Sequence, residues 1–512
     1  MRVGIIVAGP AVPAWQSACV RALQALDGVA VDVAVVSGAP AFARGLAGRL
    51  AGPAFARTPA SALVRRPASV PGGCDVVLDL TGTAAAASAR EGVWSFRIGE
   101  DGDVRQPFVR EIGRGSNTVD VELVRRIDGR NELIRRGRFS VARRYASTLR
   151  WALFEAACWP ASFVAALRDG QSLRAAPLAA KHPRPQLAFV DHVRFAVRLP
   201  LLCAGYIPEQ LFEVTEWNVG LIAGEPRRVL EPGPLEIRWL PRPARATFIA
   251  DPFLVERDGR RVLFVEQYAY DRNRGVIEAL ELNADDEVIQ RQTIVDLSGH
   301  LSYPYPLEIG GALYLVPESS ALNEVGSFRC VEFPWRWERG PVLFPAFDGV
   351  DATVFEHDGR WWALCTRISR GPTLALHAYY AVAPSGPWLE HPLNPVVVDV
   401  TCARPAGQLF RVDGALYRPG QSSADSYGCG LAIARVDELT PQTYRETVVC
   451  RLDLGGHGRY ADGTHTLSFA NGAIAIDGKH VYYDLRKLGW VLSRLTNRFR
   501  RIGSARAKPS PA

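Results

Sequence analysis

The chain opens on a continuous apolar run, Val3-Gly-Ile-Ile-Val-Ala8. Such a run predicts a strand covered on both faces, as in a parallel sheet. Gly9 to Pro13 reads as a loop, Trp15 to Leu26 has helical spacing, and Val29 to Val36 reads as a second strand. Asp75 to Leu80 and Val93 to Phe96 predict two more buried strands, and residues 141–169 are apolar with helix-forming composition. Strands alternating with helices predict a Rossmann-type α/β domain with a mostly parallel sheet over residues 1–175. A stretch rich in Pro, Ala, Arg and Lys over 176–190 marks a linker.

Beyond residue 190 helical periodicity fades and short strands separated by turns take over. Asp251 to Gly259 is followed by Arg-Arg-Val-Leu-Phe-Val-Glu266, Tyr303 to Gly311 by Ala-Leu-Tyr-Leu-Val-Pro-Glu318, and Asp351 to Gly359 by Arg-Trp-Trp-Ala-Leu-Cys365. Arg404 to Gly414 and Gly463 to Gly472 begin two further units. Each reads as strand, two-residue turn, strand. The Asp-Gly, Gly-Gly and Asn-Gly pairs supply the positive φ that a tight hairpin demands. The turn glycines 259, 311, 359, 414 and 472 lie 52, 48, 55 and 58 residues apart. That spacing suits one four-stranded blade per repeat, and five repeats predict an all-β five-bladed propeller over 191–485. A β-sandwich with coincidental turns is the alternative. Residues 486–512 form a basic tail, and Leu488, Val491, Leu492, Leu495 and Phe499 share one helical face. That pattern fits peripheral contact with an anionic membrane, or a terminal helix packed on the propeller.

Composition narrows the classes. The 512 residues are 48% hydrophobic and 22% charged, which excludes disordered and disulfide-scaffold proteins. The net charge of +7 is spread along the chain, so no nucleic-acid partner is expected. Nine cysteines without a CxxC pair indicate reduced thiols, a cytoplasmic location, peripheral to the inner face of the membrane if the tail docks there, and no structural zinc. The first loop lacks a GxGxxG fingerprint, and His465 alone does not make a metal site, so neither a cofactor nor a metal is expected.

The repeat phase selects the candidate chemistry. Eight residues before the turn glycines stand Asp251, Tyr303, Asp351, Ala406 and Thr464. On innermost strands, Asp251 and Asp351 would converge on the axis, where paired carboxylates serve sugar chemistry. His465, Gln421 and Tyr427 are further candidates to bind a substrate there, and Tyr303 holds the same phase as the two aspartates. Each aspartate also has a structural reading, opening a strand and accepting a local N–H.

The segments Ala250-Asp-Pro252 and Val350-Asp-Ala-Thr-Val-Phe-Glu-His-Asp-Gly359 resemble the first and third blade motifs of glycoside hydrolase family 43. The resemblance implies a base-like Asp251 and a modulating Asp351. Where that family holds its general acid, this chain reads Cys402-Ala-Arg-Pro-Ala-Gly407, without a carboxylate, and Glu318 is the best substitute. Arg404 at that place suits a phosphate, which needs charge neutralisation more than a proton. Over about 240–480 the chain also resembles the N-terminal domain of plant glucosamine inositolphosphorylceramide transferases, through Phe248 to Phe253, His300 to Pro304, Val316 to Glu318, Ala403 to Gly407 and Gly463 to Thr466. The N-terminal half resembles the formyltransferase fold through Arg2 to Val7 and Asp75 to Leu80. Ser95-Phe-Arg97 stands in place of that fold's Asn-x-His, and only Asp128 matches its aspartate, so formyl transfer is not expected.

Three functions follow. The first is glycosyl transfer in cell-surface glycan synthesis, with a sugar phosphate or nucleotide sugar as partner. The second is a family 43-like hydrolase using Asp251, Asp351 and Glu318. The third is a non-catalytic module that binds a glycan or serves as a scaffold.

Overall fold

The computed structural model describes residues 1–37, 45–63, 73–82, 87–102, 104–173, 175–178, 187–242, 244, 246–452, 454 and 458–489. Most of the basic tail, and the middle of the expected linker, lie outside the described residues.

The N-terminal sheet has seven strands, ordered Ala30–Val36, Arg2–Ala8, Val76–Asp79, Val93–Ile98, Thr118–Ile127, Arg130–Ser140 and Ala176–Pro177. The first four run parallel, as the buried apolar runs predict, and the sheet continues antiparallel through the hairpin that follows. Asp128 and Gly129 turn that hairpin, both with positive φ. Helices Ala14–Gln24 and Tyr145–Arg168 cover the sheet, and Trp15, Leu149, Leu153 and Trp159 are buried beneath them. Helix Phe189–Ala204 belongs to this body, since Phe195 joins its core and Tyr145 meets Phe195 edge-on.

The second half is a five-bladed β-propeller. Blade 1 comprises Thr247–Arg257, Arg260–Ala269, Arg274–Leu282 and Val288–Val295. Blade 2 comprises Ser302–Ile309, Ala312–Glu318, Glu324–Glu332 and Arg336–Pro345. Blade 3 starts with Gly349–His357, Arg360–Arg367 and Ala375–Ala381, and blade 4 with Arg404–Pro405, Phe410–Val412, Ala415–Ser422 and Gly430–Leu439. All five expected turn pairs have positive φ at both residues, from Asp258-Gly259 to Asn471-Gly472. They are the turns whose twist matches a β-hairpin.

Blade 5 joins the two ends of the propeller. Its hairpin, Leu467–Ala470 and Ala473–Tyr483, is completed by Glu213–Ala223 and Arg238–Trp239. Glu213 to Ala223 pairs in unbroken register with Tyr483 to Ala473, burying Val219, Leu221, Ile474 and Ile476. This clasp closes the ring by building blade 5 from both ends of the propeller segment.

The two bodies share a core. Leu374, Ala375, Val398 and Val400 of blade 3 and the segment after it pack into the N-terminal cluster. Val400 N–H donates to Arg138 O at 3.0 Å, and Arg135 Nη2 to Leu393 O at 3.0 Å.

Candidate functional site at the propeller axis

The strand entering each turn is innermost, so the repeat-phase residues meet at the axis. Asp251, Tyr303 and Asp351 share one backbone state: φ is 51, 46 and 53°, each within a register shift of its strand. Left-handed backbone at a non-glycine residue costs roughly 1–2 kcal/mol. A bulge repeated in three blades re-aims each side chain out of the pleat.

Tyr303 is fully buried and ties three blades together. Its hydroxyl lies 2.8 Å from Thr353 Oγ1 and accepts from Gly407 N–H at 2.8 Å. Gly407 lies so close to blade 5 that a Cβ would sit 1.7 Å from Leu467 O. The Tyr303 hydroxyl is thus engaged by protein, whereas its backbone N–H donates to Asp251 Oδ2 at 3.0 Å.

A second ring stands on the return strands. Seven residues after the turn glycines come Glu266, Glu318, Thr366, Gln421 and Lys479, all buried. Burial pushes the Glu266 carboxyl well above the ordinary carboxylate range, and Asp251, Glu318, Asp351 and Asp477 add to the rise. The raised pKa favours the protonated form of Glu266 over its carboxylate. His300, partly exposed, sits with Nε2 3.6 Å from Glu266 Oε1. His300 Nδ1 accepts from Gly275 N–H at 2.9 Å, and burial lowers its pKa, so the ring is neutral with its proton on Nε2. Glu318 accepts from Ser320 N–H at 2.9 Å, and Gln421 Nε2 donates to Ser423 Oγ at 3.0 Å.

Asp477, with no solvent exposure, anchors the base of the site. It accepts backbone N–H groups from Asp251 at 3.2 Å, His465 at 2.8 Å and Thr466 at 3.1 Å, and approaches His465 Nδ1 at 2.5 Å. Burial disfavours a charged His465, but Asp477 and Asp251 outweigh it and raise its pKa. The imidazole stacks on Trp217 with ring centroids 4.0 Å apart, and Nε2 lies 3.6 Å from Asp251 Oδ1. Thr466 Oγ1 donates to the same Asp251 oxygen at 2.6 Å. Asp477→Ala leaves three buried N–H groups without an acceptor. We expect a loss of about 3 kcal/mol or more in urea unfolding, with Asp477→Asn losing less; unchanged midpoints would contradict this anchoring role.

Among the described residues, Asp251, His465 and Asp477 form one group whose ligand atoms all lie within 4.8 Å of one another, close enough to hold a cation. Both Asp477 oxygens already accept hydrogen bonds, and the raised His465 pKa favours a proton on the ring, which competes with a metal. The oxygens of both carboxylates are already taken by protein donors, which fits an ion poorly.

Arg404 lies where blade 4 pairs with Gln421. Its Nε donates to Asp351 Oδ2 at 2.6 Å, and the guanidinium lies 5.2 Å from the Tyr427 ring. Asp351 Oδ1 is buried with no hydrogen-bond partner among the described residues. Burial raises the Asp351 pKa to about 6, Arg404 holds it back, and Asp251 adds to the rise. Half-exposed Tyr427 meets the Trp217 and His465 rings edge-on, forming an aromatic shelf beside the carboxylates. The N-terminal domain buttresses the loop that leads to this shelf. Ser140 Oγ donates to Ser423 O at 3.4 Å and Asn117 Nδ2 to Asp425 Oδ1 at 2.6 Å.

The fold thus gathers Asp251, Asp351, Glu318, Arg404, His465, Gln421 and Tyr427 near one axial end, with Tyr303 as the plug beneath. Asp477, Lys479 and Trp217 are site residues outside the sequence motifs, and Glu266 and His300 lie in a repeat strand and a family motif without being candidates for the site. The common phase of the return-strand positions was the available signal for Glu266 and Lys479. Asp477 stood out only as a charge in the apolar run Ala473 to Ile476.

The axial end of the closed propeller thus combines clustered carboxylates with an arginine and an aromatic shelf. Residues 242–465 match the family model described as glucosamine inositolphosphorylceramide transferase 1, N-terminal. Glucosamine inositolphosphorylceramide transferase 1 of Oryza sativa subsp. japonica is 31% identical over 212 residues, covering 40% of this chain and 28% of the rice protein. The Arabidopsis thaliana protein of the same name is 29% identical, over 40% of this chain and 27% of its own length. The matched segment thus spans little more than a quarter of these relatives. Among solved structures, a family 43 β-xylosidase/α-arabinofuranosidase from a compost microbial metagenome aligns with 47% of this chain and 92% of its own at 13% identity and TM-score 0.34. A family 117 glycoside hydrolase from Zobellia galactanivorans aligns with 54% and 92% at 11% identity and TM-score 0.34.

Proposed function

We propose that the chain is a carbohydrate-active protein of cell-surface glycan biosynthesis, whose propeller mouth transfers a glycosyl unit involving a phosphorylated or nucleotide sugar. The match to a transferase segment supports the reaction class. The observation that carries the reading is the Arg404–Asp351 pair. Asp351 uses one oxygen on Arg404 Nε and keeps the other buried without a partner, which a substrate hydroxyl would satisfy. The rest of the guanidinium is available to a phosphate oxygen. Asp251, oriented by Tyr303 N–H and the Thr466 hydroxyl, takes the proton from the acceptor. The N-terminal domain, formyltransferase-like but without the Asn-x-His pair, acts as the scaffold for the Tyr427 loop. We place the chain in the cytoplasm, where nucleotide sugars are available. No described helix is long and apolar enough to cross a membrane.

A thermal-shift series tests this reading, using UDP-N-acetylglucosamine, glucosamine 1-phosphate and a neutral trisaccharide. A ligand at about 100 times its Kd adds about 2.7 kcal/mol of stability. Stabilisation of wild type by a phosphorylated sugar, lost in Arg404→Ala, is the expected outcome. Stabilisation by the neutral trisaccharide alone would contradict it.

A hydrolytic reading has one observation in its favour. Burial and the neighbouring carboxylates, Asp251 first among them, raise the Glu266 pKa, the direction that a proton donor needs. Hydrolysis of an aryl glycoside that is abolished by Glu266→Gln would select it.

A further inference from the structure

Helix Phe189–Ala204 turns an apolar face away from the protein. Phe189 is 84% exposed, and Val190, Val193, Val197 and Leu201 are 48, 42, 57 and 58% exposed. Their spacing of three and four residues puts them on one side of the helix. Phe195 and Asp191 face inward: Phe195 packs in the N-terminal core, and Asp191 is buried against Arg110 at 3.8 Å. Ile207, 63% exposed, continues the face into helix Tyr206–Phe212. The segment after the last propeller strand lies beside it, because Asp484 N–H donates to Phe212 O and Lys487 Nζ donates to Glu209 O at 3.0 Å. Leu485 and Leu488, 79 and 38% exposed, extend the apolar surface there.

The charges beside this face that lack an ion-pair partner among the described residues include two arginines. Exposed Arg194 and half-buried Arg198 flank it and form no ion pair with a described residue. The acids nearby are engaged, Asp191 by Arg110 and Glu209 by Arg143. The face thus joins apolar side chains to arginines whose charge is unpaired among the described residues. It has the form of an interfacial helix, whose apolar residues enter the acyl boundary while arginines snorkel to headgroup phosphates.

We propose that helix Phe189–Ala204, with Ile207, Leu485 and Leu488, docks the protein on an anionic lipid surface. This inference is independent of the chemistry assigned to the propeller axis. Of the residues that form this face, only Leu488 belongs to the basic tail.

Sedimentation of the full chain with vesicles of phosphatidylcholine and about one-third phosphatidylglycerol tests it. Wild type is expected to pellet at low salt, and less in high salt. Val197→Asp/Leu201→Asp is expected to weaken partitioning by at least about tenfold, since two apolar side chains no longer enter the bilayer. Arg194→Glu/Arg198→Glu is expected to weaken it and to flatten the salt dependence. Phe189→Trp is expected to add a fluorescence signal that brominated lipid quenches. This reading does not depend on how the double variants fold. Three results would overturn the proposal: wild type remaining in the supernatant, the aspartate pair pelleting like wild type, or a wild-type dimer that the aspartate pair splits. The last would assign the face to a second copy of the chain.

Discussion

Asp251→Asn is expected to lower turnover of the phosphorylated sugar that wild type binds by about 10²–10⁴-fold, with little change in unfolding. The small structural effect follows from the contacts. Asparagine keeps one oxygen for Tyr303 N–H, and its amide can donate to the Thr466 hydroxyl, which turns to accept. Asparagine also tolerates the left-handed φ of 51°. The large catalytic effect follows because an amide cannot take a proton. The His465 ring loses one of its two carboxylate neighbours and its pKa falls towards the ordinary value. Steady-state kinetics with a urea titration on the same samples separates the two effects. Full turnover in the variant would remove Asp251 from the chemistry and favour a binding module.

Arg404→Ala is expected to destabilise the protein by about 3–5 kcal/mol near pH 8 and by clearly less near pH 5. Removing one partner of a buried ion pair leaves the other charge uncompensated. Asp351 is that other charge, and its pKa already stands at about 6 beside Arg404, against an ordinary 3.8. A carboxyl raised in the folded state contributes stability that is complete below its unfolded pKa and lost as pH rises through the folded value. For Asp351 that window runs from about 4 to about 6, and loss of Arg404 moves its upper end higher. At pH 5 the side chain is mostly neutral in either protein, so the missing arginine matters less there. Urea unfolding at the two pH values reads the difference. Equal losses at both would assign the effect to lost packing of the guanidinium on Tyr427.

Much of this architecture was legible because tight hairpins constrain residue type. Only a pair such as Asp358-Gly359 or Asn471-Gly472 accepts two positive φ values cheaply, so the turns wrote their period into the chain. The phase of Asp251 and Asp351 followed from that period, and the structure brings both to the axis. The completion of blade 5 was not legible. Glu213–Ala223 lacks a turn signature of its own and pairs with residues about 260 positions away, a contact that local pattern does not encode. The state of Arg404 was hidden for the same reason. Its residue type suggested an anion, but Asp351 is 53 positions off and is already the first anion it meets. Asp477 was hidden by its surroundings, because a lone aspartate in Ala-Ile-Ala-Ile-Asp477 reads as a strand end until the backbone of Asp251, His465 and Thr466 folds onto it.

A crystal structure of the full chain soaked with UDP-N-acetylglucosamine would show whether Arg404 and Asp351 hold a phosphorylated sugar. The expected complex has a phosphate oxygen within about 3 Å of an Arg404 Nη, a sugar hydroxyl on Asp351 Oδ1, and the sugar ring against Tyr427. Nucleotide bound only in the N-terminal domain, with the axial carboxylates untouched, would contradict it.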